Sequence, residues 1–247
     1  MSRKQQIGFA QRIKFSWIDY VGGLAASGKS ADEAWQELTA YLDREISTGS
    51  SAKRGSREKV RTVLAQVWLN VPEPLVPMRE DGLSLIRSLP LKDHLVVHWG
   101  MTMAVYPFWG AVAAAVGKLA ALQAEIQAGQ IHRRMQEQFG ERETVRVSTR
   151  RAFGSFIEWG VIVPGKGKNS YGLAPKRPVP DQNVTAWLAE AVMRQSGQEL
   201  MPIDSIIRSS TLFPFGVFRL THKALSENPR LETIRHGLDQ ESLRLIR

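Results

Sequence analysis

The segment Gly23–Ser30 is the first part of the chain whose residue types and spacing suggest chemistry. It reads Gly-Leu-Ala-Ala-Ser-Gly-Lys-Ser, which matches the P-loop pattern G-x-x-x-x-G-K-[ST] letter for letter. Such a loop cradles phosphates when a buried strand precedes it and a helix follows it. Here the preceding residues have helical spacing, so Gly28 is expected to end one helix and Ser30 to cap the next. Nucleotide binding is therefore the third-ranked function for this chain.

Two histidines, His94 and His98, stand four positions apart, which places them on one helical face, as zinc ligands can be. No Glu follows His94, so the metalloprotease pattern is absent, and the sequence offers no evident third ligand. We therefore expect histidines packed beside Trp99 and no metal site. Since there is no cysteine, thiolate zinc sites and a cysteine nucleophile are excluded. The sequence predicts a protein without catalytic residues or cofactors, not an enzyme.

The chain is strongly basic, and its charge is concentrated in one region. Its 247 residues have a formal net charge of +9 and a pI of about 10.0. Between Ile131 and Arg177 there are ten basic and four acidic residues, so most of the surplus lies in this segment. Clustered positive charge favours a polyanionic partner such as a nucleic acid.

One uncharged stretch, His94–Gly117, is long enough to cross a bilayer. It contains two histidines, several glycines and Pro107, so we expect two buried helices that meet at a turn around Tyr106 instead of a membrane span. The first six residues carry charges with no apolar run behind them, and no signal peptide is expected. We predict a cytoplasmic protein with no membrane contact.

The predicted fold is mainly α with small β hairpins, in three regions. Residues 1–105 form a helical N-terminal region, in which Ser30 and Glu33 make a capping box and Ser47–Gly55 is a loop before a helix that starts at Ser56. Residues 178–247 form a small α+β region. The predicted elements of that region are helices near Asp181–Gln195 and Pro202–Ser209, and a terminal hairpin of Leu231–Ile234 with Leu243–Ile246.

The central region, residues 106–177, contains a distinctive order of elements. They are a helix at Pro107–Leu122, a helix at Gln130–Phe139, a turn at Gly140–Arg142, a longer helix at Glu143–Glu158, and two strands, Val161–Val163 and Tyr171–Ala174, around a glycine-rich basic tip. This order resembles the winged helix-turn-helix family. The resemblance covers about 70 residues and lies in element order, lengths and charge placement.

The resemblance implies that the helix Glu143–Glu158 reads duplex DNA and that the hairpin tip 164–170 acts as a basic wing. On that helix one side is apolar: Val145, Thr149, Ala152, Phe153, Phe156 and Ile157 are expected in the core. The opposite side carries small polar and basic residues, including Ser155. The predicted DNA-binding residues are Arg133, Arg134, Arg142, Thr144, Arg146, Ser148, Arg150, Arg151, Lys166 and Lys168.

The predicted function is therefore duplex-DNA binding, with the N-terminal helices serving for dimerisation or for a protein partner. A bacterial role in transcription regulation or antiviral defence is the expected setting. The alternative is a protein–protein adaptor subunit of a larger bacterial complex, in which the winged helix contacts protein instead of DNA.

Overall fold

The computed structural model describes residues 7–46, 51–217, 219–236 and 240–246. The chain opens with five helices: α1 (Phe15–Ala26), α2 (Ala31–Glu45), α3 (Ser51–Trp68), α4 (Val76–Ser88) and α5 (His94–Val105). The predicted capping box is confirmed, because Ser30 Oγ accepts from the Glu33 N–H and the Glu33 carboxylate accepts from the Ser30 N–H.

The third helix begins earlier than the sequence pattern indicates. Residues Ser51–Gly55 belong to α3, so the loop prediction is wrong for them, while residues 47–50 lie outside the described residues. Gly55 is the only strong helix breaker between Ser51 and Ser56, and one glycine costs a helix only about 1 kcal/mol. A polar composition alone therefore did not prevent the helix from extending through this stretch.

Helix α6 (Pro107–Ala120) follows α5 after a sharp bend at Tyr106. The two helices are inclined at 118°, and nearly all their side chains are buried, which confirms the predicted pair of buried helices. Proline at the first position of α6 lacks the N–H that would continue α5. Among the described helices, none is by itself long and apolar enough to span a membrane; only the bent pair reaches that length and hydropathy together.

The central region continues with β1 (Ile126–Gln127), α7 (Ala128–Phe139), α8 (Glu143–Glu158), β2 (Ile162–Pro164) and β3 (Ser170–Leu173). The bounds of α8 are those predicted from the sequence. The three strands form an antiparallel sheet in the order β1-β3-β2, in which Ile126 lies opposite Tyr171 and Ile162 opposite Leu173. Strand β1 was not predicted, because two residues are too short to show an alternating pattern.

The C-terminal region contains β4 (Arg177–Pro178), α9 (Gln182–Ser196), β5 (Leu200–Pro202), α10 (Ile203–Ile207), β6 (Phe215–Gly216), α11 (His222–Ser226), β7 (Leu231–His236) and β8 (Gln240–Leu245). The predicted terminal hairpin is confirmed as β7 paired with β8, and β5 adds a third strand beside β8. A short parallel pair, β4 with β6, was not predicted. The chain is thus mainly helical with small sheets, as expected.

One hydrophobic core runs through all three regions. The Trp99 indole on α5 lies 4.5 Å from that of Trp109 on α6 and 5.3 Å from the ring of Phe213 (centroid distances), and it donates to the Thr211 carbonyl oxygen. Trp187 on α9 donates to the carbonyl oxygen of Met78 at the other side of the helical region. The N-terminal region therefore packs against both the central and the C-terminal regions.

Candidate nucleic-acid interface

Helix α8 is buried on one side and exposed on the other. The predicted inward-facing residues Val145, Thr149, Ala152, Phe153 and Phe156 are buried, and Ile157 is half-buried. Phe153 packs edge-on against Tyr171 of β3, with ring centroids 5.0 Å apart. This contact fixes the β2–β3 hairpin beside α8.

The exposed side of α8 carries a row of arginines. Arg146 forms two hydrogen bonds to the Glu143 carboxylate at the start of the helix. Arg150 is exposed and Arg151 half-exposed, and neither forms an ion pair or a side-chain hydrogen bond with any described residue. Thr144 is exposed beside them. We call Arg146, Arg150 and Arg151 the basic face of α8.

Ser148 departs from its predicted position on this face. It is only 6% exposed, and its Oγ accepts a hydrogen bond from the backbone N–H of Phe9 (3.2 Å). Ser155, two turns later, is fully buried and accepts from the N–H of Ile13 (2.9 Å). The expectation that Ser148 contacts DNA is therefore wrong, because an N-terminal segment of the same chain covers this edge of α8.

That N-terminal segment, residues 7–14, is part of the site, although the sequence pattern gave it no role. Phe9 is buried and packs edge-on against Tyr106, with ring centroids 5.3 Å apart. Further along, the Ile13 carbonyl oxygen accepts from Trp159 Nε1 (3.1 Å). The sequence contains one indication of this segment's position. Ser148 and Ser155 are seven positions apart, so their hydroxyl groups lie on the same edge of the helix, where both can accept hydrogen bonds from an extended backbone.

Helix α7 adds charge next to the basic face. Arg133 is exposed and Arg134 half-buried, and neither has an ion-pair partner within the described part of the chain. His132 is half-buried, and its Nδ1 is buried without a hydrogen-bond partner among the described residues. Burial lowers the pKa of His132, and the nearby positive charges of Arg146 and Arg150 lower it further. This electrostatic influence places His132 close to the basic face.

The turn between the helices and the hairpin tip hold the remaining predicted residues. Arg142 is exposed and donates to the Phe139 carbonyl oxygen, which closes the turn before α8. At the tip, the Glu125 carboxylate accepts from the backbone N–H of Lys166 and from the hydroxyl of Ser170. The Ser170 hydrogen bond, with the one from Lys166, lowers the Glu125 pKa.

The side chains of Lys166 and Lys168 are exposed, and neither makes a side-chain hydrogen bond or a salt bridge to a described residue. They lie on the turn that Glu125 closes, and their charges are presented to solvent. The β2–β3 hairpin that carries these lysines packs against α8 through the contact of Tyr171 with Phe153.

The arginines elsewhere in the described chain differ from those of α7 and α8 in their ion pairing. Most of them bind carboxylates; the pairs are Arg12–Glu158, Arg57–Asp43, Arg61–Glu58, Arg79–Glu80, Arg194–Glu190, Arg230–Glu190, Arg235–Glu241 and Arg244–Glu232. In the central region, Arg146 alone among the described arginines has such a partner. On α7 and α8, Arg133, Arg134, Arg150 and Arg151 therefore stay without a carboxylate partner among the described residues.

A second polar cluster joins α1, α3 and α5. Asp19 of α1 lies 2.7 Å from His94 Nδ1 and 3.0 Å from His98 Nε2, so the structure supplies the carboxylate that the sequence did not reveal. The three ligand-type atoms lie within 4.8 Å of one another. Two imidazoles and one carboxylate at these distances are a set of ligands that zinc accepts.

The hydrogen bonds of this cluster argue against a metal. The Trp68 indole N–H can only donate, and it donates to Nδ1 of His98 (3.1 Å), so the ring proton of neutral His98 must be on Nε2. Nε2 therefore donates to Asp19 and has no lone pair for an ion. His94 Nε2 lies 3.1 Å from the Leu89 carbonyl oxygen, so all four ring nitrogens have partners. The cluster ties three helices together, and both nitrogens of neutral His98 are occupied, so His98 cannot be a metal ligand there.

The pKa values of His98 and Asp19 are both lowered, which fits a structural role. Burial lowers the pKa of His98 and outweighs the hydrogen bond to Asp19, which acts in the opposite direction. Burial of Asp19 acts to raise its pKa, but the hydrogen bonds from His98 and His94 outweigh it and hold the pKa below the usual value. The pair is therefore maintained as a neutral His98 and an ionised Asp19.

The P-loop-like segment Gly23–Ser30 does not form a phosphate-binding loop. Gly23–Ala26 are the last turn of α1, not a loop after a strand. Gly28 has φ +78°, which ends the helix in the left-handed region, and Lys29 binds Glu37. The structural interpretation of this motif is confirmed, and nucleotide binding loses its support.

Comparison of the chain with family models, with curated proteins and with solved structures finds no match. What the surface around α8 does must therefore be inferred from its own geometry and charge.

Proposed function

We propose that this chain binds duplex DNA through residues 106–177, which fold as a winged helix-turn-helix. The order α6-β1-α7-α8-β2-β3, with the strands arranged β1-β3-β2, supports this assignment. Helix α8 lies in the major groove, and the β2–β3 hairpin is the wing at its side.

The observation that carries the proposal is the unpaired state of Arg150 and Arg151 on the exposed side of α8. Elsewhere in the described chain most arginines are neutralised by carboxylates, whereas these guanidinium groups are presented to solvent. An arginine without an internal partner binds a phosphate or a guanine edge without first breaking an ion pair. Lys166 and Lys168 extend the same positive surface to the wing.

The shape of α8 also suits a groove. Beside its arginines α8 carries the exposed Thr144 and the half-buried Val147, whose short side chains let the helix axis approach the bases. The N-terminal segment covers α8 along the edge at Ser148 and Ser155 and, through the Arg12 side chain, at Gly154. At the start of α8, where recognition helices contact base edges, the exposed residues Glu143, Thr144 and Arg146 are accessible.

The test is fluorescence anisotropy with a labelled random-sequence duplex across a salt series. We expect salt-dependent binding by the wild type, and the triple variant Arg146→Ala/Arg150→Ala/Arg151→Ala should reduce the slope of log K against log salt by about 2.7, since each phosphate contact contributes about 0.9. The matched control is Arg44→Ala/Lys59→Ala/Lys92→Ala, which removes three exposed charges from the N-terminal helical region.

Equal loss of affinity in both triple variants would show that only net charge matters and would overturn the assignment to α8. Absence of binding by the wild type even at low salt would overturn DNA binding itself and leave the adaptor hypothesis.

A further inference from the structure

We propose that Arg12, carried by the N-terminal segment, is a further phosphate-binding residue of the same surface. This inference rests on the proposed DNA-binding function and adds to it a residue that lies far outside residues 106–177 in the sequence. Three observations carry it: the anchoring of the segment, the position of the Arg12 side chain on α8, and the weakness of the ion pair between Arg12 and Glu158.

The segment is fixed along α8 by hydrogen bonds on either side of Arg12. Phe9 N–H binds Ser148, Ile13 N–H binds Ser155, and the Ile13 carbonyl oxygen accepts from Trp159. Phe9 and Ile13 are both buried. The backbone around Arg12 is therefore held in place, and only its side chain is free to reorient.

The Arg12 side chain lies on the exposed face of α8. A Cβ at Gly154 would come within 2.8 Å of Arg12 Cδ, so the glycine is what allows the stem of Arg12 to cross the helix there. Gly154 follows Arg150 by four positions and Arg151 by three, a spacing that puts all three on one face. Arg12 therefore extends the basic face of α8 by one turn toward its C-terminus.

The guanidinium group of Arg12 is weakly held. Its Nε lies 3.5 Å from Glu158 Oε1, with 61% of the side chain exposed, and its side chain has no other charged partner among the described residues. An exposed pair of this length contributes little to stability. A DNA phosphate, which brings charge-assisted hydrogen bonds, can displace Glu158 at small cost.

The test compares Arg12→Gln with Arg12→Lys and with the control Arg44→Gln on α2, a helix that packs against α1 and α3. We expect Arg12→Gln to reduce the slope of log K against log salt by about 0.9. When salt is lowered from 1 M to 0.1 M, the affinity of this variant should therefore rise about eightfold less than that of the wild type. Arg12→Lys keeps the charge and should keep the slope, and Arg44→Gln should leave it unchanged. Unfolding in urea should show all three variants as stable as the wild type.

The outcomes separate this inference from the function on which it rests. If the wild type binds DNA and Arg12→Gln binds with the same salt slope, Arg12 makes no phosphate contact and the inference is overturned while DNA binding stands. If the wild type does not bind at any salt concentration, both are overturned. A slope that falls equally in Arg12→Gln and Arg44→Gln would also overturn it, because long-range charge would then explain the effect.

Discussion

The backbone N–H of Phe9 donates a hydrogen bond to Oγ of Ser148, which lies 3.2 Å away and 139 positions later in the chain. With the equivalent bond from Ile13 to Ser155, it makes an extended segment part of the surface around α8. The serines that the helical pattern assigns to a DNA groove thus serve as backbone acceptors. The segment cannot satisfy its buried N–H groups without them.

Replacing both serines should therefore destabilise the protein. In Ser148→Ala/Ser155→Ala the N–H groups of Phe9 and Ile13 lose their acceptors, and we expect the free energy of unfolding to fall by about 2 to 6 kcal/mol, since each buried unsatisfied donor costs about 1 to 3 kcal/mol. Hydrogen exchange at Phe9 and Ile13 should accelerate. The control is Ser84→Ala, an exposed serine that bonds within α4, to the Glu80 carbonyl oxygen and to Arg87, and to no buried backbone N–H. Unchanged exchange at both amides would contradict this role for the serines.

The Asp19–His98 cluster predicts loss of stability in acid. Because burial depresses the pKa of His98 in the folded state below 6.5, the unfolded chain takes up this proton first, and the free energy of unfolding should decrease as the pH falls below about 6.5. For one proton, the free energy of unfolding falls by at most about 1.4 kcal/mol per pH unit. The depressed pKa of Asp19 adds a second loss at pH values below 3.8.

Urea unfolding at a series of pH values measures this effect, and ¹⁵N shifts of the His98 ring report its protonation. We expect the neutral Nε2–H tautomer to persist below pH 6.5. A ring that titrates at or above pH 6.5 would show that burial does not control it.

The sequence predicts the features whose residues are close together in the chain, and it does not predict contacts between residues that are far apart in it. The bounds of α8 and its buried side follow from local periodicity, and the Ser30–Glu33 capping box lies within one helical turn. Asp19, by contrast, meets His94 across 75 positions, and nothing in the local pattern of either residue indicates the other. The same applies to Ser148, whose polar side chain fits both solvent and a buried backbone N–H.

The pH should also modulate DNA binding through His132. Burial, together with the positive charges of Arg146 and Arg150, lowers its pKa, and phosphates that neutralise those arginines should raise it again. DNA binding then takes up a proton, so affinity should rise as the pH falls below about 6.5, by at most about tenfold per pH unit. His132→Gln should bind with a flatter pH profile. An identical profile in this variant would assign the pH dependence to other groups.

Two helical glycines in the central region give opposite predictions on replacement by alanine. A Cβ at Gly117 of α6 would lie 2.1 Å from the carbonyl oxygen of Ser210, a backbone atom that cannot move independently, whereas nothing lies within 4 Å of a Cβ at Gly129 of α7. Gly117→Ala should therefore lower the free energy of unfolding by about 2 to 3 kcal/mol through overpacking. Gly129→Ala should raise it by about 0.5 to 1 kcal/mol through helix propensity. Denaturant unfolding measures both variants, and a neutral Gly117→Ala would mean that α6 does not depend on its contact with the C-terminal region.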